Sequence, residues 1–136
     1  MKIDAGINVA LADAATEAKR LEDAGYDGAF SYEVAHDPFL PLALAATATE
    51  RITLGTSIAV AFARNPMTLA VTASDLHRLS RGRLVLGLGS QIKPHITKRY
   101  SMPWSHPAAR MRELVLAMRA IWTSWNEGTP LQFRGE

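Results

Sequence analysis

The chain contains no cysteine, which excludes disulfides, thiolate nucleophiles and cysteine-ligated zinc or iron–sulfur centres. Charge of one sign is scarce as well. The 15 basic and 13 acidic residues leave a net charge of +2, and no basic stripe interleaved with aromatics occurs, so no nucleic-acid partner is expected. No apolar run reaches the roughly 18 residues that a membrane-spanning helix requires. The N-terminus, Met1-Lys2-Ile3-Asp4-Ala5, lacks the apolar core of a signal peptide. A cytoplasmic location without a membrane partner is the expectation. His36, His77, His95 and His106 fall at no metal-ligand spacing, so no metal site is expected. What remains is ordinary for a globular domain: 136 residues, 48% hydrophobic and 21% charged, enough for one core.

Strand and helix patterns alternate along the chain. Ile3–Ile7 predicts a first strand, followed by Asn8. Asp13 is placed to cap a helix whose Ala14, Ala18, Leu21 and Ala24 recur at helical spacing, and Gly25 stops it. Gly28–Tyr32 predicts the second strand. Asp37-Pro38 opens a second helix, with the carboxylate accepting its first amides, and Leu42–Thr49 completes it. The stretch from Arg51 to Gly89 is the most informative. Two apolar strands, Arg51–Ile58 and Arg83–Gly89, flank a helix opened by Asn65-Pro66 with Leu69, Ala73 and Leu76 as its buried stripe. Such strands are expected to be buried on both faces, as in parallel sheets with helical crossovers. Their small or hydroxylic ends, Gly55-Thr56-Ser57 and Gly87-Leu88-Gly89-Ser90, allow a ligand to approach the backbone. A loop over Ser90–Ser105 leads to a last helix near Pro107, on which Met111, Leu114, Val115, Met118, Ile121, Trp122 and Trp125 form an amphipathic stripe ending at Gly128. Thr129–Glu136 reads as an exposed ribbon.

Four units of roughly thirty residues fit βαβ crossovers. Periodicity leaves two architectures, an open doubly wound sheet or half of an eightfold β/α barrel, since a whole barrel takes about 250 residues. A dinucleotide fingerprint in Gly87-Leu88-Gly89-Ser90-Gln91-Ile92 fails, because Ile92 stands where glycine is required.

Taken in order, Gly25-Tyr26-Asp27-Gly28, Arg51-Ile52-Thr53-Leu54-Gly55-Thr56-Ser57-Ile58, Arg64-Asn65-Pro66, Leu79-Ser80-Arg81-Gly82-Arg83, Leu86-Gly87-Leu88-Gly89-Ser90 and Phe133-Arg134-Gly135-Glu136 resemble the luciferase-like monooxygenase superfamily. The resemblance is to its branch of oxidoreductases dependent on coenzyme F420, a deazaflavin. It implies an α/β fold of parallel strands with alternating helices, the N-terminal half of a TIM (β/α)8 barrel. Residues 1–136 would be a single half-barrel domain, truncated after the fourth βα unit. It also implies hydride transfer between a reduced deazaflavin and a small organic substrate. An FMN-dependent monooxygenase of the same superfamily is the alternative, as is a non-catalytic flavin-binding fragment that needs a partner chain.

By the same resemblance, a non-prolyl cis peptide between Ser57 and Ile58 would back the coenzyme ring. Glu33 takes the place of a family acid, while Val34 occupies that of the family histidine; His36 follows and is a catalytic candidate with Glu33, since histidine donates protons near neutrality. An exposed His36 beside a helix-capping Asp37 is the other reading. Asn8, Ser31, Ser57, Ile58, Ser90 and Gln91 are the cofactor-binding candidates, because all follow C-terminal strand ends. Lys93, His95, Lys98 and Arg99 form either a solvated loop or an electrostatic attractor for the acidic coenzyme tail. Half a barrel leaves strand edges unpaired, so a homo-oligomer or a second half-barrel is the expected partner.

Overall fold

The computed structural model describes residues 1–135; Glu136, the last residue of the Phe133–Glu136 motif, lies outside the described residues. The chain forms two compact units. The first comprises Met1–Ala59 and Ala73–Leu88, the second Val60–Thr72 and the residues from Gly89 onward. Among the described residues no helix is long and apolar enough to cross a membrane.

The first unit is built on a parallel sheet of β1 (Asp4–Gly6), β2 (Gly28–Ser31), β3 (Thr53–Thr56) and β5 (Leu84–Val85). Two-residue strands, β4 (Ala59–Val60) and β6 (Leu88–Gly89), follow β3 and β5. The sheet order β1-β2-β3-β5 follows the chain without a reversal. A doubly wound sheet reverses its order at a switch point, whereas consecutive units of a β/α barrel lie side by side in sequence order. Strand order thus decides between the two architectures that periodicity leaves open. The fold is α/β, with parallel strands and alternating helices, and corresponds to the N-terminal half of a barrel.

Helices α1 (Ala14–Asp23) and α2 (Phe39–Ala48) pack on each other and on the sheet. α1 buries Ala14, Ala18 and Leu21, while α2 buries Phe39, Leu42, Ala45 and Ala46. Gly25 ends α1 at φ +85°, and the Gly25 and Tyr26 amides donate back to the carbonyls of Glu22 and Leu21, which satisfies the last turn. Asp37 caps α2 as expected, its Oδ1 accepting from the Phe39 and Leu40 amides at 2.8 and 3.1 Å. Asp13 behaves differently. It lies in a short 3-10 turn, Leu11–Asp13, and its side chain makes no capping bond to α1, because the turn itself supplies the helix entry.

Two further expectations are corrected. The strand Arg83–Gly89 is not continuous. Its ladder breaks at Leu86-Gly87, where the Thr56 hydroxyl bonds Gly87 twice, donating to its carbonyl at 2.7 Å and accepting from its amide at 3.0 Å. Nor are all strands buried on both faces, for Val85 is 49% exposed.

In the second unit, α3 (Pro66–Leu79) begins there with residues 66–72 and continues into the first unit. Asn65 opens it, Oδ1 accepting from the Thr68 amide at 2.9 Å. Phe62 is fully buried, met edge-on by Trp104 at 5.6 Å and covered by the Arg110 guanidinium at 4.4 Å. The predicted loop Ser90–Ser105 contains a helical turn at His95–Arg99 whose Ile96 is fully buried. One apolar residue among Lys93, His95, Lys98 and Arg99 was too weak a periodic signal to announce it. Helix α4 (Pro107–Glu127) buries Leu114, Ala117, Met118 and Ile121, and Gly128 ends it at φ +65°. Trp122 Nε1 donates to the Ala70 carbonyl at 3.1 Å, whereas Trp125 is exposed.

Candidate active site

Alternation along the strands separates two faces of the sheet. Ala29 and Ser31 on β2, with Leu54 and Thr56 on β3, are buried on one face. On the other, strand register places Gly6, Phe30, Gly55 and Val85 in one row. The Phe30 ring lies over Gly28 and Gly55, since a Cβ on either would collide with it. At Gly6 an added Cβ would come no closer than 3.9 Å to the Phe30 carbonyl and the Tyr32 ring. Asn8 and Tyr32 stand two residues beyond Gly6 and Phe30, and so continue the same face to the C-terminal rim.

Hydrogen bonds lock that rim together. The Ile7 amide donates to the Phe30 carbonyl at 2.8 Å, and the Tyr32 hydroxyl donates to Asn8 Oδ1 at 2.6 Å. The Ser57 amide donates to the Ser31 carbonyl at 2.7 Å, and the Glu33 amide to the Ile58 carbonyl at 3.2 Å. Between these two bonds the Ser57–Ile58 peptide is cis, as the family resemblance implied. The Ala59 amide donates to the Gly87 carbonyl at 2.9 Å. A Cβ at Gly87 would overlap the Thr56 carbonyl oxygen, so glycine is required where the chain after β5 passes β3.

The structure gathers Asn8, Glu33, Ser57 and Ile58 at this rim. Ser57 is exposed, whereas Glu33 and Ile58 are half-buried. Ser31 contributes its backbone only. Its side chain is buried on the opposite face and the hydroxyl donates to the Pro38 carbonyl, so it supports the opening of α2 and does not face the rim. His36 is exposed on the bend between Glu33 and α2. Ser90 and Gln91 belong to the second unit, where their polar bonds are local: Ser90 Oγ donates to the Gln91 carbonyl, and Gln91 Oε1 accepts from the Ile92 amide. Tyr32 carries a rim contact that sequence reasoning passed over. The available signal was its two-residue offset from Phe30.

The other end of the sheet holds the strongest electrostatics of the unit. The Glu22 carboxylate, 2% exposed, accepts from the amides of Glu50, Arg51 and Ile52 at 2.7–3.2 Å. Burial pushes its pKa up, but the Ile52, Arg51 and Glu50 amides and the Lys19 ammonium outweigh it and hold the carboxyl at about 2. Nearby, Arg83 donates to the carbonyls of Ala46, Thr49, Ile52 and Ser80 and to Thr49 Oγ1. Burial pulls its pKa down, and the Glu22 charge opposes this. Groups at the amino ends of barrel strands serve stability, while chemistry collects at the carboxyl ends. The Leu79–Arg83 motif is therefore structural at Arg83.

Residues 3–136 match the family described as luciferase-like monooxygenase. The chain is 60% identical over its whole length to the uncharacterized protein Rv1360 of Mycobacterium tuberculosis, covering 40% of that protein. It is 38% identical over 102 residues, 74% of the chain and 29% of the relative, to Rv3520c of the same organism, which is named as a candidate coenzyme F420-dependent oxidoreductase. The chain thus spans about two fifths or less of the length of these curated relatives. Among solved structures, the oxygenating constituent of 3,6-diketocamphane monooxygenase from Pseudomonas putida, in complex with FMN, superposes with TM-score 0.84 at 19% identity, covering all of the chain and 43% of that enzyme. The coenzyme F420-dependent tetrahydromethanopterin reductase of Methanopyrus kandleri superposes with TM-score 0.78 at 23% identity, over 99% of the chain and 42% of the enzyme. At these identities the structures speak for the fold, and the matched family speaks for descent. The chain belongs to the luciferase-like monooxygenase family.

Proposed function

We propose that the chain serves an F420-dependent oxidoreductase, providing the first half of a site where hydride passes between reduced deazaflavin and a small organic substrate. The observation that carries this reading is the hydrogen-bonded rim. The Ser57 amide on the Ser31 carbonyl and the Glu33 amide on the Ile58 carbonyl hold an apolar side chain and a hydroxyl on the rim that also carries Asn8, above a floor bare of side chain at Gly6. These residues suit a planar ring with polar edges: Ile58 supplies apolar backing, and Asn8 and Ser57 supply hydrogen-bonding groups. When bound, the coenzyme supplies the hydride chemistry, and the protein supplies position and electrostatics.

Glu33 and His36 follow β2 on the rim side. His36 is suited to deliver a proton to a substrate oxygen as its carbon is reduced, and Glu33 to orient the substrate. For Ser90 and Gln91 the support is the family resemblance of Leu86–Ser90 alone. The preference for F420 over FMN rests on the relative Rv3520c.

Titration of the chain with F420 and with FMN, read by ring fluorescence, tests the assignment, with size-exclusion mass recorded in parallel. Saturable change with F420, tighter than with FMN, supports the reading; a mass that doubles on binding points to a second copy completing the site. The reverse order of affinities supports an FMN-dependent monooxygenase instead. A constant mass with no spectral change for either coenzyme overturns both.

A further inference from the structure

The Asn8–Tyr32 pair is a polar side-chain contact across the ends of β1 and β2 at the rim, and no catalytic role requires it. Its direction carries information. Tyr32 donates its only proton to Asn8 Oδ1 at 2.6 Å. That bond fixes the carboxamide with Oδ1 toward Tyr32, so its NH2 group is directed away as a donor. The phenol oxygen, its proton committed, keeps acceptor capacity. Both side chains are exposed, Tyr32 at 42%, on the face where Gly6 carries no side chain. The rim thus displays a donor and an acceptor next to each other, preset by a single hydrogen bond. The complementary ligand edge is an acceptor beside a donor, and the simplest such edge is a cyclic imide, C=O adjacent to N–H.

The geometry points to Tyr32 as a positioning residue which, with Asn8, recognises the imide edge of a flavin or deazaflavin ring: Asn8 Nδ2–H donates to the ring carbonyl and Tyr32 Oη accepts from the ring N–H. This rests on the proposed coenzyme site and adds which ring edge is read there and by which side chains. Tyr32 has no part in the chemistry under this assignment. Its task is to hold the Asn8 amide in one of two otherwise similar orientations and to accept one ligand proton.

The test uses the whole 136-residue chain, with FMN and 3-methyl-FMN, whose methyl group replaces the imide proton, and F420 in parallel, all read by ring fluorescence. The expected result is binding of FMN and F420, with 3-methyl-FMN weaker by about tenfold, the order of one hydrogen bond. Tyr32→Phe should weaken FMN and F420 more than 3-methyl-FMN, because the methylated ring loses only the preset orientation of Asn8, while the other two lose the Tyr32 acceptor as well. Asn8→Ala should weaken all three. Equal loss of FMN and 3-methyl-FMN in Tyr32→Phe would show a merely structural contact and overturn the inference, as would equal affinity of the two rings for the unaltered chain. Either outcome leaves the coenzyme site standing, because the rings still bind. Absence of binding by every ring overturns the site itself and the inference with it.

Discussion

Replacing Glu22 by glutamine tests the electrostatics of the sheet's amino end. The carboxylate accepts from three successive backbone amides at Glu50, Arg51 and Ile52, and the pKa held at about 2 instead of 4.5 is a stability statement. At about 1.4 kcal/mol per pH unit, it corresponds to roughly 3 kcal/mol of folding free energy near neutrality. A carboxamide keeps one acceptor but turns an NH2 group toward backbone N–H donors, so Glu22→Gln should lose about 2–3 kcal/mol at pH 7. The sign with pH follows from a folded-state pKa that lies below the unfolded one. The contribution is full above about pH 4.5 and disappears as pH falls toward 2; at pH 3 about 1.4 kcal/mol should remain. Urea denaturation of both proteins at pH 7 and pH 3 measures this. With a slope of about 1.5 kcal/mol per molar, the midpoint gap should be about 1.3–2 M at pH 7 and about half that at pH 3. A variant as stable as the parent at pH 7, or a gap of equal size at both pH values, would refute the reasoning.

Three further outcomes are expected. Gly87→Ala should cost about 2–3 kcal/mol in thermal or urea unfolding, because the new methyl meets the Thr56 carbonyl; Gly6→Ala, with ordinary contacts only, should change stability by less than about 0.5 kcal/mol. Arg83→Lys should cost about 1.5–3 kcal/mol, since one ammonium cannot serve the carbonyls of Ala46, Thr49, Ile52 and Ser80 together; an unchanged melting temperature would contradict that count. Asp37→Ala should destabilise by about 1 kcal/mol through loss of the α2 cap, seen as faster hydrogen exchange at the Phe39 and Leu40 amides.

Much of the architecture was readable from local chemistry. Gly25, Gly128, Asp37 and Asn65 mark helix ends through their own backbone or side-chain bonds, which depend on neighbours only a few residues away. What escaped depends on distant partners. The Thr56 hydroxyl breaks the predicted strand Arg83–Gly89 from 31 residues away in the chain. Glu22 falls on the buried stripe of α1 with Ala18 and Leu21, yet nothing local says that three amides beyond α2 await it. Arg83 read as part of a family motif before its carbonyl partners were visible. At the rim, residue types were legible but side-chain direction was not. Ser31 and Tyr32 are sequence neighbours on opposite faces, and alternation along β2 alone turns one hydroxyl under α2 and the other toward Asn8.

The sheet order β1-β2-β3-β5 bears on how the chain assembles during synthesis. Each strand pairs with one about 25 to 30 residues earlier, so every new βα unit finds its docking edge already made by the unit before it. No strand waits for a later one to be inserted between itself and its neighbour. Loop closure is then short at each addition, the situation that favours fast folding for a parallel sheet. The molecule can grow from its N-terminus one unit at a time as it leaves the ribosome, with Glu22 and Arg83 fastening the third strand only after α2 has been laid down.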